Sequence, residues 1–210
     1  MRKALGIVLL LQLLLFSAVL GAQEKELAVE EVSQDDLGNV TDAFQENFFE
    51  ALKQKGIENY EKAILALEQC LKIDPKPVVY FELGKNYNSL ERFSEASAFL
   101  EKANELDPKN EAILAELYNT YYLDRQFNKA LPVVEELRQI DPTYSEDLAN
   151  LYILNQKFDQ ALHLLDELDA KWGDSEYREG LRRQIYAQTN NSDAGIVDLQ
   201  KRIAEDPEAE

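Results

Sequence analysis

Four times along this chain a helical pattern is cut by Asp-Pro, in KIDP, ELDP, QIDP and AEDP, with the prolines at Pro75, Pro108, Pro142 and Pro207. The first two intervals are 33 and 34 residues, and the third, of 65, spans two units. Proline lacks an amide donor and pushes the residue before it out of helical geometry, so each Asp-Pro ends a helix. The same register repeats inside the units. A small residue, Ala63, Ala96, Ala130 or Gly195, stands twelve residues before each proline, and in the first three units an aromatic, Tyr60, Phe93 or Phe127, stands three residues earlier still. The unit hidden in the long interval supplies Phe158 and Ala161, with Gly173 and Asp174 where a proline would stand. Self-similarity at this period restricts the chain to a stack of equal units, each too small to bury its own apolar face.

Within the units apolar residues recur at steps of three and four, as in Tyr60, Ala63, Ile64, Leu67 and Leu71, or Phe158, Ala161, Leu162, Leu165 and Leu168. No stretch alternates as a strand would, so the chain is expected to be all-α. Small residues at Gly84, Ala51 and Ala149 in first helices, and at Ala63, Ala96, Ala130 and Ala161 in second helices, let backbones approach while Leu, Tyr and Phe fill the grooves. Some positions depart from the pattern. Tyr118 occupies the slot of Gly84 and Ala51, which predicts a third hairpin that is splayed or whose groove is locally filled. Pro132 falls inside a second helix and should kink it, at a cost of about 3 kcal/mol outside the first turn. Gly195, where alanine is usual, predicts that the fifth hairpin is the loosest. Thr143 and Glu146 have capping-box spacing at the start of the fourth unit.

These residues resemble the tetratricopeptide repeat family over about residues 44 to 207. The resemblance implies a right-handed superhelical solenoid of antiparallel helix pairs, about five units at 44–76, 77–110, 111–142, 143–175 and 176–210. The helix pairs would run 44–55 with 60–73, 77–90 with 93–106, 111–124 with 127–140, 144–155 with 158–171, and 176–189 with 192–205. First helices of such proteins line a concave surface that binds a peptide or helix. Carried over residue by residue, that stripe comprises Phe81, Lys85 and Asn88, then Asn119 and Tyr122, then Asn150 and Ile153. The alternative is that Phe81, Tyr122 and Ile153 pack against the next hairpin. Phe48, Phe81 and Ala115 stand where a carboxylate-gripping lysine would be sought, so the chaperone-binding subtype is not expected. Repeat arrays need a polar terminal cap. A chain stopping at Glu210, just after AEDP, is therefore expected to belong to a longer array; otherwise Tyr186, Ile196, Leu199 and Ile203 pack differently, or the end associates with a partner.

Residues 1–22 have the zones of a secretory signal: Arg2 and Lys3, an apolar run from Ala4 to about Leu15, then small residues at Ser17, Ala18, Gly21 and Ala22. Export to a periplasmic or extracellular location is expected, or a membrane anchor if the signal stays uncleaved. Residues 23–43 read as an acidic flexible lead-in. The 40 acidic and 22 basic residues give a formal charge of −18, which becomes −20 when Arg2 and Lys3 leave with the signal. Such a balance offers no basic footprint for nucleic acid, opposes docking on anionic lipid and favours basic partners.

Catalytic apparatus is not expected. Cys70, the single cysteine, lies on an apolar helix face and reads as a core residue rather than a nucleophile. His163, the single histidine, is flanked by Asp159, Asp166 and Glu167, and one imidazole cannot build a two-histidine metal site. No phosphate loop, dinucleotide fingerprint or nucleophile elbow occurs, so no cofactor or metal is expected. Asn39-Val40-Thr41 and Asn190-Asn191-Ser192 fit glycosylation sequons, relevant only in a eukaryotic secretory route. Repeats and signal together point to a non-enzymatic, exported adaptor that binds protein partners. A structural part of envelope or outer-membrane assembly is the alternative, ahead of a regulatory module of an enzyme.

Overall fold

The computed structural model describes residues 34–190 together with 195–197, 200 and 204, with side chains from residue 41 onward. The segment read as a signal, the expected lead-in up to residue 33 and most of the second helix expected in the fifth unit lie outside the described residues. The chain divides into two compact units, residues 1–43 and 44–210. The described part of the first, residues 34–43, is helical.

Among the described residues every regular element is helical: α1 (Gln34–Gly56), α2 (Tyr60–Ile73), α3 (Pro77–Ser89), α4 (Phe93–Leu106), α5 (Glu111–Leu123), α6 (Phe127–Ile140), a 3-10 turn (Pro142–Tyr144), α7 (Ser145–Leu154), α8 (Phe158–Trp172) and α9 (Glu176–Gln188). In the second unit these pair as hairpins, each packed on the next. Asp-Pro ends the second helices as expected. Asp74, Asp107 and Asp141 leave helical geometry, and their amides donate to Cys70, Ala103 and Leu137 carbonyls at 2.8, 2.9 and 2.8 Å.

The turn inside each hairpin has a device that composition does not announce. Glu58, Glu91, Arg125, Gln156 and Asn190 all hold positive φ, between 52° and 59°. The amides that follow the first four, on Asn59, Arg92, Gln126 and Lys157, donate to Gln54, Tyr87, Tyr121 and Tyr152 carbonyls at 2.8–2.9 Å, closing the first helix in the manner glycine usually provides. Side chains at these positions cost about 1 kcal/mol each.

The core runs through the stack in two clusters, one around Ile64, Leu67, Val79 and Leu83, the other from Leu100 through Val134 and Leu165 to Ile185. Cys70 is fully buried and its Sγ lies 3.6 Å from the Phe44 carbonyl. Burial raises its thiol pKa, in keeping with a core residue. Gly84 marks a close approach of α3 to α4, since a Cβ there would lie 2.5 Å from Leu100 Cγ.

The departures resolve in different ways. Tyr118 is half-buried and reaches past its own hairpin, its hydroxyl donating to Asp147 of α7 at 3.0 Å. Pro132 sits on the exposed side of α6, which continues through it to Ile140. At Gly195 a Cβ would lie 2.9 Å from Tyr186 Cδ2, so the missing side chain makes room for an aromatic ring. The capping box at Thr143 does not form: the 3-10 turn intervenes, Asp141 Oδ1 accepts from the Thr143 amide at 2.8 Å, and Glu146 is held by Arg178 instead.

An ionic lock, unforeseen in the sequence, seats α9. Arg182 and Arg178 are only 2% and 5% exposed. Arg182 donates to Asp166 at 2.8 Å and to Asp169 Oδ2 at 2.6 Å. Arg178 donates to Asp169 Oδ1 at 2.6 Å, to Glu146 at 2.7 Å and to the Gly173 carbonyl. Burial opposes the Arg178 charge, but the bonds to Asp169 and Glu146 outweigh it and raise its pKa. Gly173, at φ 77°, supplies the turn that Asp-Pro makes elsewhere.

Candidate partner-binding face

First helices of successive hairpins are tied to one another by a row of polar bonds. Lys55 of α1 donates to Glu82 of α3 at 2.7 Å, and Lys85 lies 3.6 Å from the same carboxylate. Asn88 Nδ2 reaches Glu116 Oε1 and Thr120 Oγ1 of α5 at 2.6 and 2.7 Å. From α5 to α7, Tyr118 donates to Asp147, and Asn150 Nδ2 donates to Tyr122 Oη at 3.3 Å. These helices therefore present one continuous face.

Of the seven residues expected on a binding stripe, six are half-buried or exposed on these first helices. Phe81 is half-buried, and Lys85 Nζ stands 5.0 Å from its ring centroid. Asn88 is half-buried, with Oδ1 lacking a hydrogen-bond partner among the described residues. Asn119 is exposed. Tyr122 is half-buried, edge-on to Tyr118 and Phe127 at 5.9 and 5.6 Å, and Asn150 supports its hydroxyl. The expected alternative also holds in part, because Phe81 and Tyr122 lean on the core as well.

Ile153 is the correction. It is 1% exposed and belongs to the core. Leu151, about 200° away around the same helix, is equally buried. α7 is thus covered on opposite sides, by α6 and α8 and by α9. A helix covered on two sides buries two stripes, and Ile153 lies on one of them.

Other features of the face were not anticipated. Between α5 and the 3-10 turn that precedes α7 opens a cleft of about 560 Å³ lined by Asn110, Glu111, Ala112, Ala115 and Tyr144. The one sequence signal for it is Ala115, which takes the repeat position held by Phe81 one unit earlier. A second cleft, of about 410 Å³, lies over the second helices, where Arg138, Tyr152, Asp159, Gln160, His163, Leu164 and Glu167 meet. His163 is exposed there, and Arg138 donates to Glu167 at 2.9 Å. Among the described residues no group of His, Cys, Asp and Glu is arranged to hold a metal ion, and no helix is long and apolar enough to cross a membrane.

Tyrosine hydroxyls carry much of the cross-hairpin bonding. Burial first, then the neighbouring Asp147 carboxylate, raises the Tyr118 pKa; burial and then the bond to Glu101 raise that of Tyr121. Tyr87, Tyr144, Tyr152 and Tyr177 are shifted upward too, with burial the main cause. A folded-state pKa above the unfolded value of about 10 favours the neutral, folded form. That stabilisation is complete below pH ~10 and is lost as pH rises beyond it. Denaturant midpoints should therefore fall steeply above pH ~10, and less steeply for Tyr118→Phe. Parallel pH profiles for the two proteins would refute the assignment.

The tetratricopeptide repeat model matches residues 54–77 and 78–110. The chain carries tetratricopeptide repeats. Solved structures extend the likeness across the stack. MamA from Desulfovibrio magneticus RS-1, residues 41 to the end, shares 14% identity at a TM-score of 0.61 over 80% of this chain and 98% of that one. A tetratricopeptide repeat protein from Parabacteroides merdae shares 18% at 0.63, over 80% of this chain and 68% of that one. MamA from strain AMB-1 shares 18% at 0.58, over 80% and 93%. At these identities the likeness is one of fold, a tetratricopeptide solenoid. No curated relative matches the chain.

Proposed function

We propose that this tetratricopeptide protein is an exported, non-enzymatic scaffold that binds a partner peptide or helix along the face of its first helices. The observation that carries the reading is the set of half-buried aromatics, Phe81 and Tyr122, standing beside the amides Asn88, Asn119 and Asn150 on helices held in register by their own bonds. Aromatic anchors within a preorganised polar frame are what interface hot spots are made of. The signal-like segment at residues 1–22 supports export.

The test is crosslinking in the native envelope, with the mature chain identified by an intact mass lacking residues 1–21 or 1–22. Phe81→Ala with Tyr122→Ala should reduce capture of partners by about thirtyfold, the effect of losing a 2 kcal/mol hot spot. A circular-dichroism melt confirms that the variant stays folded. An unchanged set of partners would overturn the assignment of the face.

A further inference from the structure

We infer that the cleft between α5 and the 3-10 turn before α7 receives a lysine or arginine side chain, so that the partner of this face is a basic peptide or helix. The inference rests on the first-helix face being the binding face, and adds the chemistry of what binds there.

The cleft is made by an absence of bulk. Phe81 fills the corresponding position on α3, but Ala115 and Ala112 floor the hollow on α5, and half-buried Tyr144 forms the far wall beside exposed Glu111. A basic side chain suits such a surface in each of its parts. Its methylene stem would lie on the two alanines, and its charged head would meet the Tyr144 ring and the Glu111 carboxylate.

Charge around the cleft is one-sided. Residues 107–116 and 141–147 contribute Asp107, Glu111, Glu116, Asp141, Glu146 and Asp147 against a single cation, Lys109. Of these acids Glu146 is neutralised by Arg178. Glu116 and Asp147 accept bonds from the neutral donors Asn88 and Tyr118, which orient the carboxylates without cancelling their charge. Burial raises the Tyr144 pKa, and next in order Glu111, Asp141 and Asp147 push it further, as expected for a ring within their field.

One feature of the cleft favours an anion, namely the amino end of α5, where free amides and the helix dipole would attract negative charge. That end is already occupied. Asn110 Oδ1 accepts from the amides of Ala112 and Ile113 at 3.1 and 3.3 Å, and Glu111 lies in the first turn. What remains for a ligand is the surplus of carboxylates. The net charge of −18 adds long-range attraction for the same class of partner but does not choose a location.

The experiment uses two short fluorescein-labelled peptides with the same apolar residues, one carrying lysines and the other glutamates at the remaining positions. Binding is read by anisotropy at physiological ionic strength. The lysine peptide should bind and the glutamate peptide should not. Glu111→Gln should weaken the lysine peptide about tenfold, as expected for one charge-assisted hydrogen bond. Tyr144→Leu should weaken it as well. Asp159→Asn removes the same charge from the first turn of α8, outside the cleft, and should leave affinity within about twofold. Equal losses from Glu111→Gln and Asp159→Asn would reduce the effect to general charge and overturn the inference, as would equal binding of the two peptides. If native partners are lost with Phe81→Ala and Tyr122→Ala but kept with Glu111→Gln, the basic-partner inference falls and the face stands. If they survive all of these substitutions, the face falls with it.

Discussion

Asp169→Ala should cost 3–5 kcal/mol, about what the breaking of a buried ion pair costs elsewhere. Asp169 is where both arginines of α9 converge, at 2.6 Å each, and its side chain is 11% exposed. Removing it leaves two buried guanidinium groups short of a counter-charge in a place water reaches poorly. Because a stack of repeats opens locally, the loss should concentrate in α9 rather than spread evenly. Amide exchange in Glu176–Gln188 should accelerate by orders of magnitude, while α3–α6 keep their protection. Arg182→Met tells the same story from the other side. Arg182 Nε has no hydrogen-bond partner among the described residues, and a methionine of similar length keeps the packing, so this change should cost clearly less. If Asp169→Ala falls within about 1 kcal/mol of wild type, the network is ornamental and α9 is seated by Leu181 and Ile185 alone.

A second large effect turns on the sign of a single methyl group. In an exposed helix, glycine to alanine stabilises by about 1 kcal/mol. At Gly84 the new Cβ would stand 2.5 Å from Leu100 Cγ and 2.8 Å from Cδ2. The Cγ is the branch point of a fully buried side chain, so relief means shifting α3 against α4, and Gly84→Ala should cost about 2 kcal/mol net. Gly180, in the middle of α9, is the control. The nearest atom to a Cβ there is Arg183 Nη2 at 3.9 Å, and Gly180→Ala should stabilise by up to about 1 kcal/mol. Urea midpoints of the two variants should move in opposite directions; movement in the same direction would show that close helix approach is not what Gly84 is for.

Helix boundaries were legible because they are local. Asp-Pro, aromatic openings and small residues at fixed offsets placed the ends of α2 through α9 to within one residue, and the all-helical solenoid with them. α1 is the exception and begins at Gln34, ten residues before the repeat pattern starts. Its early turns contain few large apolar residues, so periodicity had nothing to register.

The proposed binding face was legible only in part. Phe81, Lys85, Asn88, Asn119, Tyr122 and Asn150 could be placed on it by repeat register, since register transfers from one hairpin to the next. Ile153 could not, because burial depends on how many neighbours cover a helix, and α7 has them on both sides. The hollow at Ala115 and Tyr144 needed two helices to be seen together.

The sequence by itself therefore determined where each helix starts and stops and that the hairpins repeat, because proline geometry and 3.6-residue periodicity act within a few residues of chain. Only the tertiary structure decided which way each helix is turned and what its polar side chains meet. Tyr118 leaves its own hairpin for Asp147, and Arg178 and Arg182 go inside because Glu146, Asp166 and Asp169 surround them. Those outcomes depend on partners 9 to 32 residues away, in a cluster of carboxylates that a charge count cannot distinguish from a solvated surface.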